Sequence, residues 1–149
     1  MNVETEQSSV GTLCNQVHPG CIVCGSVNSR GLHLNFDVNN DGSVKAVFDC
    51  HEAFEGYPGM LHGGVISTLL DGAMGHCMFA RGLAAVTVEM TTRFRHPVTT
   101  GKEAEISARI ICISQPLYLL EAEITQYGKV NATAKGKFYH GPDLDCVCY

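Results

Sequence analysis

Between His62 and Ala80 the chain reads HGGVISTLLDGAMGHCMFA, an apolar stretch carrying one carboxylate, Asp71. It is long enough for about five helical turns. Val65, Ile66, Leu69, Leu70, Ala73, Met74, Cys77 and Met78 cover more than one stripe of such a helix. A helix apolar on that many sides has to be surrounded by other elements rather than laid on a surface. Gly72 and Gly75 would weaken an exposed helix; inside a packed one they let a neighbour approach. Arg81-Gly82 supplies the stop.

What surrounds it reads as strand. GLHLNFDV and SVKAVFDC alternate on either side of Asn40-Asp41-Gly42, residues that suit a hairpin turn. After the helix, AAVTVEMTTRFRHPV alternates, with Val86, Val88, Met90 and Phe94 on one side and Thr87, Glu89, Thr91, Arg93 and Arg95 on the other. KEAEISARIICIS, PLYLLEAEITQY and KVNATAKGKFYH follow, joined by short turns. Two strands, one long helix and a meander predict an α+β fold with a single buried helix against one antiparallel sheet. The 149 residues suit one domain. Its expected bounds are 31–140, after an irregular N-terminal segment 1–30 and before a C-terminal tail 141–149.

The net charge of −5 argues against a nucleic-acid partner. The opening residues MNVETEQSSV have no signal-peptide pattern, and no apolar run reaches the ~18 residues of a membrane span without a charge. A cytoplasmic protein without membrane attachment is expected. In that compartment the eight cysteines are expected to be free thiols with no bound metal. Cys21-x-x-Cys24 with His18 is only part of a zinc site, and Cys146-x-Cys148 in the tail is the nearest source of a further ligand.

The chemistry lies on the helix. A carboxylate inside an apolar helix is costly unless it is paired or used. The N-terminus of a helix presents unpaired N–H groups and the positive end of its dipole. Gly63 and Gly64 remove the side chains that would keep a carbonyl or oxyanion away from those donors. The two features are eight residues apart, about 12 Å along a helix. One carbonyl cannot meet both in the same chain. If both act on one substrate, two copies of the helix must lie side by side in opposite directions, as in a two-fold dimer with two composite sites. Arg93, Arg95, His96 and Lys102 form the densest basic cluster, a solvated strand end or a phosphate contact. His76 lies about 140° around the helix from Asp71, off its face. A satisfied or partly exposed histidine is expected there.

His62-Gly63-Gly64, with Asp71 nine residues after the His and a strand ending Arg95-His96-Pro97-Val98, resembles the hotdog-fold acyl-CoA thioesterases of the PaaI-like branch. The likeness runs over roughly residues 20–140 and takes in Cys21-Ile22-Val23-Cys24-Gly25, Gly31-Leu32 and the loop Phe54-Glu55-Gly56-Tyr57-Pro58-Gly59. It implies a central helix wrapped by a five- to six-stranded antiparallel sheet, and sites shared between paired chains in a homodimer or a dimer of dimers. In those sites Gly63 N–H polarises a thioester carbonyl and Asp71 of the partner chain acts as general base or nucleophile. His62 fixes the first turn of the helix, and Thr87 orients the water or the acid. Met60, Gly64, Arg93, Arg95 and His96 are the expected substrate contacts, with Met74, Met78 and Phe79 shaping the acyl pocket.

Coenzyme A enters as part of the substrate, and no cofactor is implied. The chain departs from some relatives in lacking an Asn or Gln in HEAFEGYPGML; Glu55 or His51 would have to stand in. Two rival readings are a non-catalytic acyl-CoA-binding protein on the same fold and a zinc-stabilised interaction module built on His18, Cys21, Cys24 and a tail cysteine. A hotdog dehydratase fits less well, because the His, Pro-rich loop and helix acid of that group are not matched.

Overall fold

The computed structural model describes residues 13–142. MNVETEQSSV, Cys146-x-Cys148 and most of the tail 141–149 therefore lie outside the described residues. Six strands and one long helix follow in the order β1 (Asp37–Val38), β2 (Val44–Asp49), α1 (Gly63–Ala80), β3 (Val86–Phe94), β4 (Glu103–Ser114), β5 (Leu117–Gln126) and β6 (Lys129–Tyr139). A 3-10 turn, Glu52–Phe54, precedes α1, and residues 13–17 are helical. All strand pairs are antiparallel, in the order β1-β2-β4-β5-β6-β3. This is the α+β hotdog architecture, with α1 held in the curve of the sheet. No helix among the described residues is long and apolar enough to cross a membrane.

The packing follows from the sequence of the inner face. Val44, Ala108, Ala122, Ala134 and Thr92 are successive register partners across β2, β4, β5, β6 and β3. Three alanines in the middle of that row leave room for a helix to lie close. Leu69, Leu70, Met74 and Met78 fill the space, fully buried with Ile106, Leu120, Ile124 and Phe138. Each such burial is worth about 1.5–3 kcal/mol. His76 is buried as well: its Nδ1–H donates to Gly72 O at 3.2 Å, and its ring stacks on Phe36 at 4.3 Å.

Three local expectations are corrected. The alternation of residues 31–38 is real, with Leu34, Phe36 and Val38 buried, yet only Asp37–Val38 joins the sheet. Upstream, Leu32 and Leu34 N–H donate to Ile22 O and Val23 O, so the N-terminal segment takes the bonds a neighbouring strand would have taken. Val23 and Cys14 pack into the core from that segment.

In β3 a bulge between Thr87 and Glu89 breaks the alternation. Thr87 opposes the buried Phe138 and faces α1, along with Met90, Thr92 and Phe94; Glu89, Thr91 and Arg93 face outward opposite Lys137, Lys135 and Thr133.

The helix glycines also differ from each other. A Cβ on Gly72 would meet Val23 at 2.6 Å, whereas one on Gly75 would meet nothing within 4 Å. Gly72→Ala is therefore expected to destabilise by about 1–3 kcal/mol through overpacking. Gly75→Ala should stabilise by up to about 1 kcal/mol through helix propensity. Chemical denaturation of the two variants checks the opposite signs. A loss at Gly75 would mean that another chain occupies the space it faces.

Candidate active site

The N-terminus of α1 is built by its cap. His62 has extended backbone angles, and its Nδ1 accepts from Gly64 N–H at 2.9 Å. His62 N–H is in turn held by Phe54 O at 2.9 Å, and Leu61 N–H by Val98 O at 2.8 Å, so the loop 51–61 fixes where the helix begins. The two adjacent glycines thus have different positions. The Gly64 amide is occupied by His62, and a Cβ there would sit 3.0 Å from the imidazole. Gly63 N–H donates to none of the described residues. A Cβ on Gly63 would meet only the Phe94 ring, at 3.5 Å.

Gly63 opens into a cleft of about 680 Å³ whose walls include Met60, His62, Phe94, Arg95 and His96. Phe94 was not singled out from the sequence; an aromatic at the end of an alternating strand is the only signal it gives. It is half-exposed, at 56 %, and its ring stands beside the free amide. Arg93 is not part of this cleft. It lies on the outer face of the sheet, in a larger hollow of about 990 Å³ lined by charged residues and crossed by ion pairs Arg109–Glu121 at 2.6 Å and Lys137–Glu89 at 3.2 Å. That hollow is on the far side of the sheet from α1. Lys102 sits in the turn before β4 and is also absent from the cleft walls.

Asp71 lies two turns further along α1, partly buried, and Thr87 Oγ1–H donates to its Oδ1 at 2.6 Å. The β3 bulge makes this contact by turning Thr87 towards the helix. The hydroxyl holds one carboxylate oxygen and leaves the other free to accept. With about 12 Å of helix between them, Asp71 and Gly63 are not brought together within one chain.

His51 and Glu55 hold the loop instead of facing the cleft. His51 Nδ1 accepts from Ala53 N–H at 2.9 Å, and the Glu55 carboxylate accepts from Gly59 N–H at 3.1 Å. A buried pair that sequence reading did not pick out fixes the opposite wall. Gln126 bonds both Thr99 N–H, at 2.8 Å, and Thr99 O, at 2.9 Å. Asn131 Nδ2 donates to Pro97 O at 2.8 Å, while Asn131 O accepts from Arg95 and His96 N–H at 2.8 and 3.0 Å. Buried amides that complete main-chain bonding in this way cost about 1–3 kcal/mol to remove. They set the path of residues 95–99, which carries Arg95 and His96 past the helix N-terminus.

Residues 58–126 match the family described as Thioesterase superfamily. A stretch of 78 residues is 33 % identical to acyl-coenzyme A thioesterase THEM4 of Bos taurus, covering 52 % of this chain and 32 % of that protein. The chain thus spans about a third of the length of that curated relative. Among solved structures, the E. coli PaaI protein from the phenylacetic acid degradation operon superposes with a TM-score of 0.77 at 18 % identity, over 94 % of this chain and 96 % of that one. A hypothetical thioesterase with coenzyme A from Streptococcus pneumoniae superposes with a TM-score of 0.68 at 20 % identity, over 72 % and 85 % of the two chains. The sheet and its enclosed helix agree with these structures: the chain has the hotdog fold, and within it residues 58–126 are similar to the thioesterase superfamily.

Proposed function

We propose that the protein is an acyl-CoA thioesterase that hydrolyses a thioester to free acid and coenzyme A, in composite sites at a two-fold interface of a homodimer or dimer of dimers. The observation that carries this reading is the placement of an unoccupied donor and a positioned acid beside one edge strand, open on the side away from β6. Gly63 stands against Phe94 near one end of β3, and Asp71 is bonded to Thr87 near the other. β3 is the edge of the sheet, nine residues long, with Val86, Val88 and Phe94 exposed at 45, 54 and 56 %. Such an edge is a template for another strand.

A second β3 added antiparallel about a two-fold axis through Thr91 satisfies three requirements together. Inward residues meet inward residues, with Met90 opposite the partner's Thr92. Glu89 meets the partner's Arg93, a charge pair of the kind that supports strand pairing. The Thr87–Val88 bulge meets the partner's Phe94, so that Asp71 approaches the partner's Gly63. In this arrangement Arg93 serves the interface, while Arg95 and His96, at the mouth of the cleft, are left for the phosphates of coenzyme A.

In such a site the Gly63 N–H polarises the thioester carbonyl and stabilises the oxyanion. Asp71, oriented by Thr87, takes the proton of the attacking water or attacks the carbonyl itself. The tetrahedral intermediate then releases coenzyme A as the thiolate, which takes up a proton; where Asp71 itself has attacked, a water then hydrolyses the acyl–aspartyl anhydride to the free acid and restores the carboxylate. A thioester suits two groups without a triad, because its carbonyl is already activated. The coenzyme A in the Streptococcus pneumoniae neighbour and the name of the bovine relative support the substrate class.

Loss of thioester absorbance over a panel of aliphatic and aromatic acyl-CoAs tests the reading. Asp71→Ala should cut turnover by about 10²–10⁴-fold. Gly63→Ala should cost about 10²-fold with folding intact, because its Cβ makes only an ordinary contact with Phe94. An Asp71→Ala protein as active as wild type refutes the assignment. Saturable binding of acyl-CoA without turnover favours the non-catalytic binding protein, a reading motivated by the loop 51–61, where His51 and Glu55 are spent on main-chain bonds.

The register has its own check. Thr91→Cys, on the axis, should form an interchain disulfide under mild oxidation, since facing Cα atoms in a ladder are about 4.5–5.5 Å apart. Peptide mapping that finds this cross-link absent while Glu89→Cys self-links would place the axis elsewhere.

A further inference from the structure

The N-terminal segment gathers a second set of reactive groups. Cys14, Cys24 and His76 present ligand atoms within 4.8 Å of one another, and so do His18, Cys21 and Cys24. Cys24 belongs to both trios, and its sulfur is 3.2 Å from that of Cys14. The sequence predicts free thiols here; the fold makes these residues converge because the segment doubles back over α1.

The turn that holds them is specialised. Cys14 O accepts from His18 N–H at 2.7 Å, His18 O accepts from Cys21 N–H at 3.1 Å, and Cys21 O accepts from Gly25 N–H at 2.8 Å. Val23 N–H also points at the Cys21 sulfur, at 3.4 Å. The Cys21-x-x-Cys24 loop is therefore closed on itself with a main-chain donor aimed at the Cys21 sulfur, the outer support that metal-bound sulfur needs. Gly25 makes the closure possible. A Cβ there would lie 2.3 Å from Cys21 N and 2.6 Å from the carbonyls of Cys21 and Pro19.

We propose that Cys14, His18, Cys21 and Cys24 bind one divalent cation of the zinc class, fastening the N-terminal segment onto α1 beside Asp71. Three thiolates and an imidazole are a tetrahedral zinc set, with ligand atoms about 3.5–3.8 Å apart when Zn–S is about 2.3 Å. His18, Cys21 and Cys24 already present their ligand atoms within 4.8 Å of one another, and Cys14, its sulfur 3.2 Å from that of Cys24, joins them by a side-chain shift. His76 approaches the same sulfurs from the helix. Its Nδ1–H is on Gly72 O and its ring is stacked on Phe36, which places it at the floor of the cluster, where it is the rival of His18 as the imidazole ligand.

The position gives the metal a consequence. Val23, inside the Cys21-x-x-Cys24 loop, packs directly on Gly72, the residue after Asp71. The clasp thus bears on the turn of α1 that carries the candidate acid. It is independent of whether that acid hydrolyses a thioester.

Elemental analysis of the full chain, purified under reducing conditions without chelator, is the test. The expected result is one zinc per chain. After chelation, cobalt(II) should restore one equivalent with the spectrum of a tetrahedral thiolate site, and the chelated protein should melt at a lower temperature until zinc is returned. Cys24→Ser and His18→Gln should lose the metal, while Cys112→Ser, an exposed thiol elsewhere, should keep it. Protein that takes up neither zinc nor cobalt after full reduction overturns the site, as does a Cys14–Cys24 disulfide as the sole stable state. Loss of metal in His76→Gln with retention in His18→Gln overturns the ligand set.

Discussion

A helix that is apolar on nearly every side has to be wrapped, and the rest of the molecule is arranged by that requirement. The sheet curls around α1, a row of alanines lets it come close, and the N-terminal segment covers the turn at Gly72 that the sheet does not reach. The wrapping stops at β3. There the sheet ends in an exposed nine-residue edge, and the two polar features of the helix, the free Gly63 amide and Asp71, lie along that edge. Incomplete enclosure is thus concentrated at the place where chemistry is available.

The two ends of that edge divide the work. At one, the dipole and an unoccupied N–H of a capped helix offer fixed positive charge to an oxygen. The cap itself decides which amide is offered, because His62 consumes Gly64 N–H and leaves Gly63. At the other, a hydroxyl holds one oxygen of a carboxylate and leaves the second to act. A helix cannot bend 12 Å to bring them together; in the proposed dimer a second copy in the opposite direction does so. The same logic reassigns Arg93, which faces outward with Glu89 and Thr91 and, in the proposed dimer, lies opposite the place where the paired strand carries Glu89.

Much of this was legible in the residues. The bounds of α1 follow from His-Gly-Gly at one end and Arg81-Gly82 at the other, and the meander follows from alternation and turn residues. Thr87 was legible as a partner of Asp71 only through family resemblance. Its side of the strand was misread, because a bulge leaves no mark in a count of alternating residues. The short β1 had the same kind of cause: residues 31–36 alternate as a strand would, but Leu32 and Leu34 bond to a distant segment. Gly72 and Gly75 are identical in sequence terms and differ only in whether Val23 is opposite. Gln126 and Asn131 could have been suspected as amides at the junction of two apolar strands, yet nothing local says that they bind residues 97–99. Convergence of Cys14 on Cys24 depends on the same long-range folding of the first segment.

The central claim is that each site takes its donor from one chain and its acid from another. Mixing unfolded Asp71→Ala and Gly63→Ala chains and refolding them together tests it most directly. Each variant alone has no complete site, whereas a mixed dimer has one. Random pairing makes half the dimers mixed, so activity should return to about a quarter of the wild-type value. Mixed dimers that form and stay as inactive as their parents would contradict the claim, and would place both groups in the service of separate sites within one chain.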